Sequence, residues 1–380
     1  MTEKLYYKDA YIKEFEATVL SCKKEENLYK IVLDKTAFFP EGGGQTSDVG
    51  VIGDAIVTDV QEENGEIFHY TDKKVSGSVF CKLDFEKRFE KMQNHTGEHL
   101  VSGISHNLFG TENVGFHLGN DVVTLDTNIP LTKEQIDRLE VEVNRAIYAN
   151  TEVLTLFPSP EDLESISYRA KLDLKENVRI VDIKGYDACA CCAPHVKRTG
   201  EIGMVKIADD MNWKGGTRLT ILCGSRALSH YKKTFDSVKA ISNLFSAKQD
   251  SLFEFVEKYV SETDKLKYEL EQADIERARL IASLTAKSTE SIVIQDSVLK
   301  TEGMRELVNL LKEKTDKCVC VLSGEEGAYR YILGAKEMPL RTLIKDINQK
   351  LSGKGGGNDS MVQGSFNATF EEIKQVIQHL

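Results

Sequence analysis

Two pairs of side chains able to hold a metal ion stand far apart in the chain with the same internal spacing, His95-Thr-Gly-Glu-His99 and Cys191-Cys-Ala-Pro-His195. Imidazole nitrogen and thiolate sulfur are ligands that zinc takes tetrahedrally. Three or four of them make a site that can polarise or position a substrate for hydrolysis. On a helix, positions i and i+4 share one face a turn apart, so His95 and His99 are spaced to grip a single ion. The second pair belongs to a loop, because Pro194 cannot continue a helix, and it runs into a strand at Val196–Lys197. Cys189 and Cys192 offer a competing two-thiol grip or redox pair, and spacing alone does not choose the ligand among Cys189, Cys191 and Cys192. Glu98 opens a different reading, since His-x-x-Glu-His is also the inverted zinc-protease pattern. That reading needs a distant glutamate as third ligand and leaves Cys191 and His195 without a role. In a third reading the cysteines are simply small buried apolar residues.

The elements that must position these residues can be traced along the chain. Residues 1–88 read as short strands (Phe15–Leu20, Leu28–Leu33, Ala55–Gln61, Ile67–Tyr70, Ser78–Leu83) separated by turn residues, the pattern of a small β-barrel or sandwich. A helical pattern starts at Phe85, runs through Phe89, Met92, Leu100, Ile104 and Leu108, and stops at Gly110. Strands then mix with a helix over Lys133–Tyr148, for which Thr132 is the N-cap, so residues 89–225 read as an α+β domain holding both ligand pairs. No glycine or proline lies between Gly224 and Gly303, which predicts a long helical spacer over 226–287. Leu252, Val256, Tyr259, Thr263, Leu266, Leu270, Ala273, Arg277 and Leu280 follow heptad spacing there, with Thr263 and Arg277 as blemishes. Such a helix either pairs with a second copy as a coiled coil, giving a homodimer, or folds back as a hairpin. Residues 288–380 alternate strand and helix as an α/β module, broken by the glycine run Gly353-Lys-Gly-Gly-Gly357.

At 380 residues and 41% hydrophobic the chain can bury several cores. Its net charge of −11 argues against a protein that coats nucleic acid non-specifically. Residues 286–380 carry 13 Lys+Arg and 13 Asp+Glu, so all of the negative charge lies before them, and the tail is the part least repulsive to an anion. No apolar run reaches transmembrane length and the start lacks a signal-peptide pattern, so a soluble cytoplasmic protein with no membrane partner is expected. Eight unevenly placed cysteines make no disulfide framework.

With these motifs in view the chain resembles a known family. His95-x3-His99 followed by Cys191-x3-His195-Val looks like the editing domain of alanyl-tRNA synthetase and of the free-standing AlaX proteins, over nearly the whole length. Phe38-Phe-Pro-Glu-Gly-Gly-Gly-Gln45 looks like the glycine motif of the barrel that precedes that domain. Gly215-Gly-Thr-Arg218 is similar to its closing strand, and Gly353–Gly357 resembles the last module of the synthetase. The resemblance implies Zn2+ at His95, His99, Cys191 and His195. It implies contacts to tRNA from Gly43, Gly44, Gln45, Arg218, Lys354, Gly355 and Gly356. The family's Cys-Gly-Gly-Thr-His loop is Cys-Cys-Ala-Pro-His here, and the position commonly glutamine in the synthetase is His117. No aminoacylation core precedes the barrel, so the chain is expected not to charge tRNA.

The function implied is hydrolysis of tRNA for alanine that carries serine or glycine, in trans. An activated ester needs positioning more than strong chemistry, and Glu98 and His117 are the candidate catalytic bases. The rival is a non-catalytic, zinc-containing tRNA-binding factor in which the altered loop has lost activity. Glycine runs alone are weak signals, and the tail run lacks the Gly-Lys-Ser/Thr ending of a nucleotide-binding loop.

Overall fold

The computed structural model describes residues 2–119, 121–170 and 178–380 of a mixed α+β protein. These form two compact units, one ending at Ala240 and one running from Ile241 to Leu380.

The first unit begins with strands whose side chains alternate between core and water. In Ala55–Glu63, Ala55 and Val57 are buried while Ile56 and Thr58 are exposed; a bulge before Asp59 shifts the register so that Val60 returns inward. Six strands pair antiparallel in the order Glu14–Glu25, Leu28–Leu33, Glu66–Thr71, Ala55–Glu63, Gly50–Ile52 and Ser78–Leu83. The last pairs back on the first, closing a barrel filled by Phe15, Ile31, Leu33, Ile52, Ile67 and Leu83. Closure leaves no open sheet edge.

The helix Phe85–Phe109 leaves this barrel with Asp84 accepting from the Lys87 amide, and it ends at Gly110 in the left-handed conformation, φ 69°. Its first turn is tied to the barrel by Arg88, whose Nε donates to Asp48 Oδ2 at 2.9 Å and whose Nη2 donates to the Ala37 carbonyl at 2.6 Å. Both members of this ion pair are buried, and leaving one such charge unpaired costs about 3–5 kcal/mol. Asp48 Oδ2 also accepts from the Phe39 amide at 2.6 Å, so the helix and the loop before the glycine motif share one anchor.

Beyond the barrel, a four-stranded antiparallel sheet runs in the order Val205–Trp213, Gly216–Cys223, Val123–Thr127, Asn113–Leu118. A three-stranded sheet is built from Val153–Leu156, Ile180–Ile183 and Asp187–Ala190. The helix Lys133–Tyr148 opens on a capping box between Thr132 and Gln135. It packs Leu139 and Val143 into one core with Leu100, Val101, Leu219 and Ile221.

The spacer is not one helix of uniform length. Helices run over Gly224–Phe245 and Leu252–Leu284, interrupted where Ser246 adopts φ 52°. The Phe245 ring lies 5.9 Å from Phe255 and 5.1 Å from Tyr259. An unbroken helix, rising about 1.5 Å per residue, would hold them roughly 15 and 21 Å apart, so the chain turns back here. Arg277, a blemish in the heptad pattern, pairs with Asp296 at 2.7 Å, and Ala278 and Ala282 are buried with Leu307, Val308 and Leu311. The end of the expected spacer is thus part of the core of the next module.

That module is a five-stranded sheet in the order Ile292–Gln295, Val319–Ser323, Tyr329–Gly334, Met361–Phe366, Lys354–Gly357. The first pair is parallel and the rest antiparallel. Val319–Ser323 is buried along its whole length because cores lie on both faces, one containing Leu340, Ile344 and Ile373 and the other Met304 and Leu307. The glycine run, expected as a break between helix and strand, is itself the edge strand. Among the described residues no helix is long and apolar enough to cross a membrane.

Candidate metal centre

His95 and His99 project from one face of the Phe85–Phe109 helix with ring centroids 5.6 Å apart. The strand Asp187–Ala190 can approach that helix because residue 103 is glycine. A Cβ added there would lie 2.5 Å from the Tyr186 carbonyl and 2.6 Å from Asp187 Cβ. The close approach lets His99 Nδ1 donate to Asp187 Oδ2 at 3.0 Å. Asp187 Oδ1 accepts from Arg169 Nε at 2.7 Å. His95 Nδ1 donates to Gln45 Oε1 at 3.0 Å. His195 Nδ1 donates to Thr96 Oγ1 at 3.0 Å, where the hydroxyl must accept because its own hydrogen goes to the Met92 carbonyl at 2.8 Å.

With all three Nδ1 atoms committed as donors, the three Nε2 atoms are left as the metal-facing positions. Cys191 Sγ lies 3.5 Å from His95 Nε2 and 3.3 Å from His195 Nε2, and one ligand atom from each of the four residues falls within 4.8 Å of the others. The pairs that are remote in sequence therefore meet. Burial alone would push the Cys191 thiol up, but the His95 and His195 rings outweigh it and hold the thiol well below its usual range. Burial would likewise lower His99, yet Asp187 and Cys191 hold it well above the ordinary value. His195 is pushed down to about 3, first by burial and against the pull of Cys191. These ligands bind a metal as thiolate and neutral imidazole, so a divalent cation would compete with protons for the cluster. Three imidazole nitrogens with one thiolate, each imidazole oriented by a second partner, are a donor set that fits zinc.

Geometry also chooses among the cysteines. Cys191 completes the tetrad, whereas Cys192 sits by the barrel loop, 3.1 Å from a Cβ placed on Gly43. Cys189 groups with His99 and Asp187, but both Asp187 oxygens are already occupied by His99 and Arg169. The inverted protease pattern is not built. Among the described residues no glutamate joins either ligand group, so the distant third ligand it needs is missing, and Cys191 and His195 stand with the two histidines instead. Glu98 Oε1 accepts from Ser102 Oγ and from Asn113 Nδ2, the latter at 2.7 Å.

A cavity of about 1130 Å³ opens on the cluster, lined by Gly43, Gly44, His95, Glu98, His99 and Cys191 among others. His117 is not among the lining residues. Along Asn113–Leu118 it is Asn113 and Phe116 that line the cavity, the Phe116 ring 4.9 Å from His95, while His117 is exposed. His117 thus stands apart from the cavity lining, whereas Glu98 is part of it. Gln45, expected to touch tRNA, is 1% exposed and orients His95 instead. Arg218 lies outside the cavity lining, paired with Asp126 at 2.6 and 2.7 Å and stacked 3.9 Å above the Trp213 ring centroid. Lys354, Gly355 and Gly356 lie on the exposed edge strand of the second unit.

Three residues were missed in the sequence. Thr96 and Asp187 stand beside the ligand motifs and could have been weighed as their partners. Arg179, whose Nη1 donates to the carbonyls of Cys191 at 2.6 Å and Ala193 at 2.8 Å, shapes the ligand loop without any motif to announce it.

Residues 178–220 match the family described as the threonyl and alanyl tRNA synthetase second additional domain. The chain is 30% identical over 398 residues to alanyl-tRNA editing protein AlaX-L of Pyrococcus horikoshii, covering 99% of this chain and 97% of that one. It is also 30% identical over 388 residues to alanyl-tRNA editing protein Aarsd1 of Mus musculus, covering 95% and 93%. An alanine–tRNA ligase of Ignicoccus hospitalis is 28% identical over 374 residues, which are 94% of this chain and 40% of the ligase.

Proposed function

The chain belongs to the alanyl-tRNA editing proteins, and from that membership we propose that it hydrolyses the ester between a wrong amino acid and the tRNA for alanine, in trans. It is an aminoacyl-tRNA deacylase, with serine as the main amino acid removed and glycine the second. A pocket made for alanine cannot strongly reject serine for one added hydroxyl, so a second site has to hydrolyse the mistake.

The observation that carries this reading is the convergence of His95, His99, His195 and Cys191 at a cavity wall, with each Nδ1 already bonded. Zn2+ held there would act as a Lewis acid and orient the ester. The chain's own residues do the rest. Gly43 and Gly44, which carry no side chains, leave room for the acceptor end. Both described donors to Glu98 go to Oε1, which leaves the second oxygen to take a proton from a water attacking the ester carbonyl. The tetrahedral species then collapses, the ester C–O bond breaks, and Glu98 returns the proton to the departing ribose oxygen. Lys354, on the exposed edge strand with Gly355 and Gly356, meets the sugar–phosphate backbone. Exposed Leu266, Leu270 and Leu280, beyond the turn at Ser246, support pairing of the Leu252–Leu284 helix with a second copy.

The test is release of amino acid from serine-, glycine- and alanine-charged tRNA for alanine, with and without a chelator. We expect serine to be released fastest, alanine spared, and release to stop on chelation and return with Zn2+. Tight tRNA binding with no release from any of the three would overturn the reading.

A further inference from the structure

One side of the cavity has a wall that ester hydrolysis does not require. Tyr7 and Phe157 both line it, with ring centroids 6.0 Å apart and planes inclined by 65°. Tyr7 is braced from behind by Tyr6, which is 2% exposed and lies edge-on to Tyr7 at 4.7 Å and to Phe39 at 5.4 Å. Phe157, by contrast, is 57% exposed, a large apolar ring left in water at the margin of a cavity. Arg179 connects this wall to the cluster. Its Nη1 donates to the Cys191 carbonyl, while its Cζ lies 5.4 Å from the centroid of Tyr7. Lys4 Nζ, paired with Glu62, stands 5.7 Å from the same ring.

Two rings at a steep angle form a corner in which a flat group stacks on one and meets the other edge-on, the arrangement aromatic pairs favour. The cavity, at about 1130 Å³, is also far larger than serine or glycine needs. Whatever carries the amino acid must occupy it too, and on an aminoacylated tRNA that is the terminal nucleoside.

We propose that Tyr7 and Phe157 are the stacking platform for the terminal base of the acceptor strand, placing the nucleoside so that its ester reaches the cluster one guanidinium away. This inference rests on the deacylase reading above. It makes Phe157 a positioning residue. Tyr168, also on the cavity wall, is the rival aromatic.

Phe157 suits a test because removing an exposed ring leaves the core intact. The probe is the non-hydrolysable seryl amide of 3′-amino-3′-deoxyadenosine, compared with the same amide on an abasic ribose, with binding measured by calorimetry. Base stacking is worth roughly tenfold or more in affinity, so the wild-type protein should prefer the adenosine form by about that factor. Phe157→Ala should erase the preference and raise KM for seryl-tRNA about tenfold with unchanged metal content, and Phe157→Trp should restore both. Equal binding of the two amides by the wild-type protein would overturn the platform. So would a preference that survives Phe157→Ala, or one that is lost in Tyr168→Ala instead. A wild-type protein that prefers the adenosine amide yet deacylates no tRNA would keep the platform and sink the hydrolase.

Discussion

Gly42–Gly44 and Gly353–Gly357 look alike in the sequence and are built in opposite ways. The first run is a tight turn, closed by hydrogen bonds between Gly42 and Gln45 at 3.0 and 3.1 Å. It is stitched to the four-stranded sheet by the Gly44 carbonyl, which accepts from the Leu118 amide at 2.9 Å. The next residue, Gln45, holds His95. The second run lies along the open edge of a sheet, and Lys354–Gly357 is exposed throughout. Backbone groups on such an edge can meet a partner, although here the Gly355 carbonyl already accepts from Asn348 Nδ2 at 3.2 Å. A glycine run therefore has no meaning of its own. The first takes its meaning from the residue after it and the ring opposite, and the second from the missing neighbour strand.

The most severe way to probe the first run is at the histidine it supports. His95→Ala should empty the site. Metal content measured by mass spectrometry should fall to background, and deacylation should drop by more than the roughly 100-fold that loss of an outer partner brings. Retention of a full equivalent of zinc would break the link between cluster and activity. One step outward, Gln45→Leu keeps the volume but removes the acceptor for His95 Nδ1. Zinc affinity, read by competition with a chromogenic chelator, should weaken by about 10–100-fold. Because binding displaces protons from the cluster, the zinc affinity of both proteins should fall as pH falls. If Gln45→Leu binds zinc normally, the turn is merely structural and the contrast between the runs collapses.

How much of this was legible depended on how local the determinant was. The helix from Phe85 to Gly110 and the cap at Thr132 were readable because capping and periodicity act within a few residues. The tetrad was readable as two spaced pairs, although spacing could not choose Cys191 over its neighbours; that choice is made by where the Asp187–Ala190 strand lies against Gly103. That Asn113 lines the cavity was not readable, because a register shift between Asp126 and Thr127 lies opposite it and nothing in the sequence reports that shift. The turn at Ser246 lacks glycine and proline, so the break in the spacer was invisible.

The remaining contrasts are smaller and concern the glycines themselves. Gly44 has φ +80°, and a Cβ there would stand 2.8 Å from Cδ1 of Phe116, the ring that covers His95. Gly44→Ala should therefore destabilise the protein by about 1–3 kcal/mol. At Gly356 nothing lies within 4 Å of an added Cβ, and Gly356→Ala should shift stability by no more than about 0.5 kcal/mol. Denaturant midpoints compare the two, and equal losses would erase the distinction. The last difference is in what each run meets. If the edge strand contacts phosphate, Lys354→Ala should weaken tRNA binding severalfold at low salt and reduce the slope of log affinity against log salt by about 1. Its binding of the seryl-adenosine amide, which has no phosphate backbone, should be unchanged. That pairing separates the two runs without touching the fold: Gln45 acts on the ion whatever the substrate, whereas Lys354 acts only when the body of a tRNA is attached. A Lys354→Ala protein with an unaltered salt slope would mean that the exposed edge serves something other than nucleic acid.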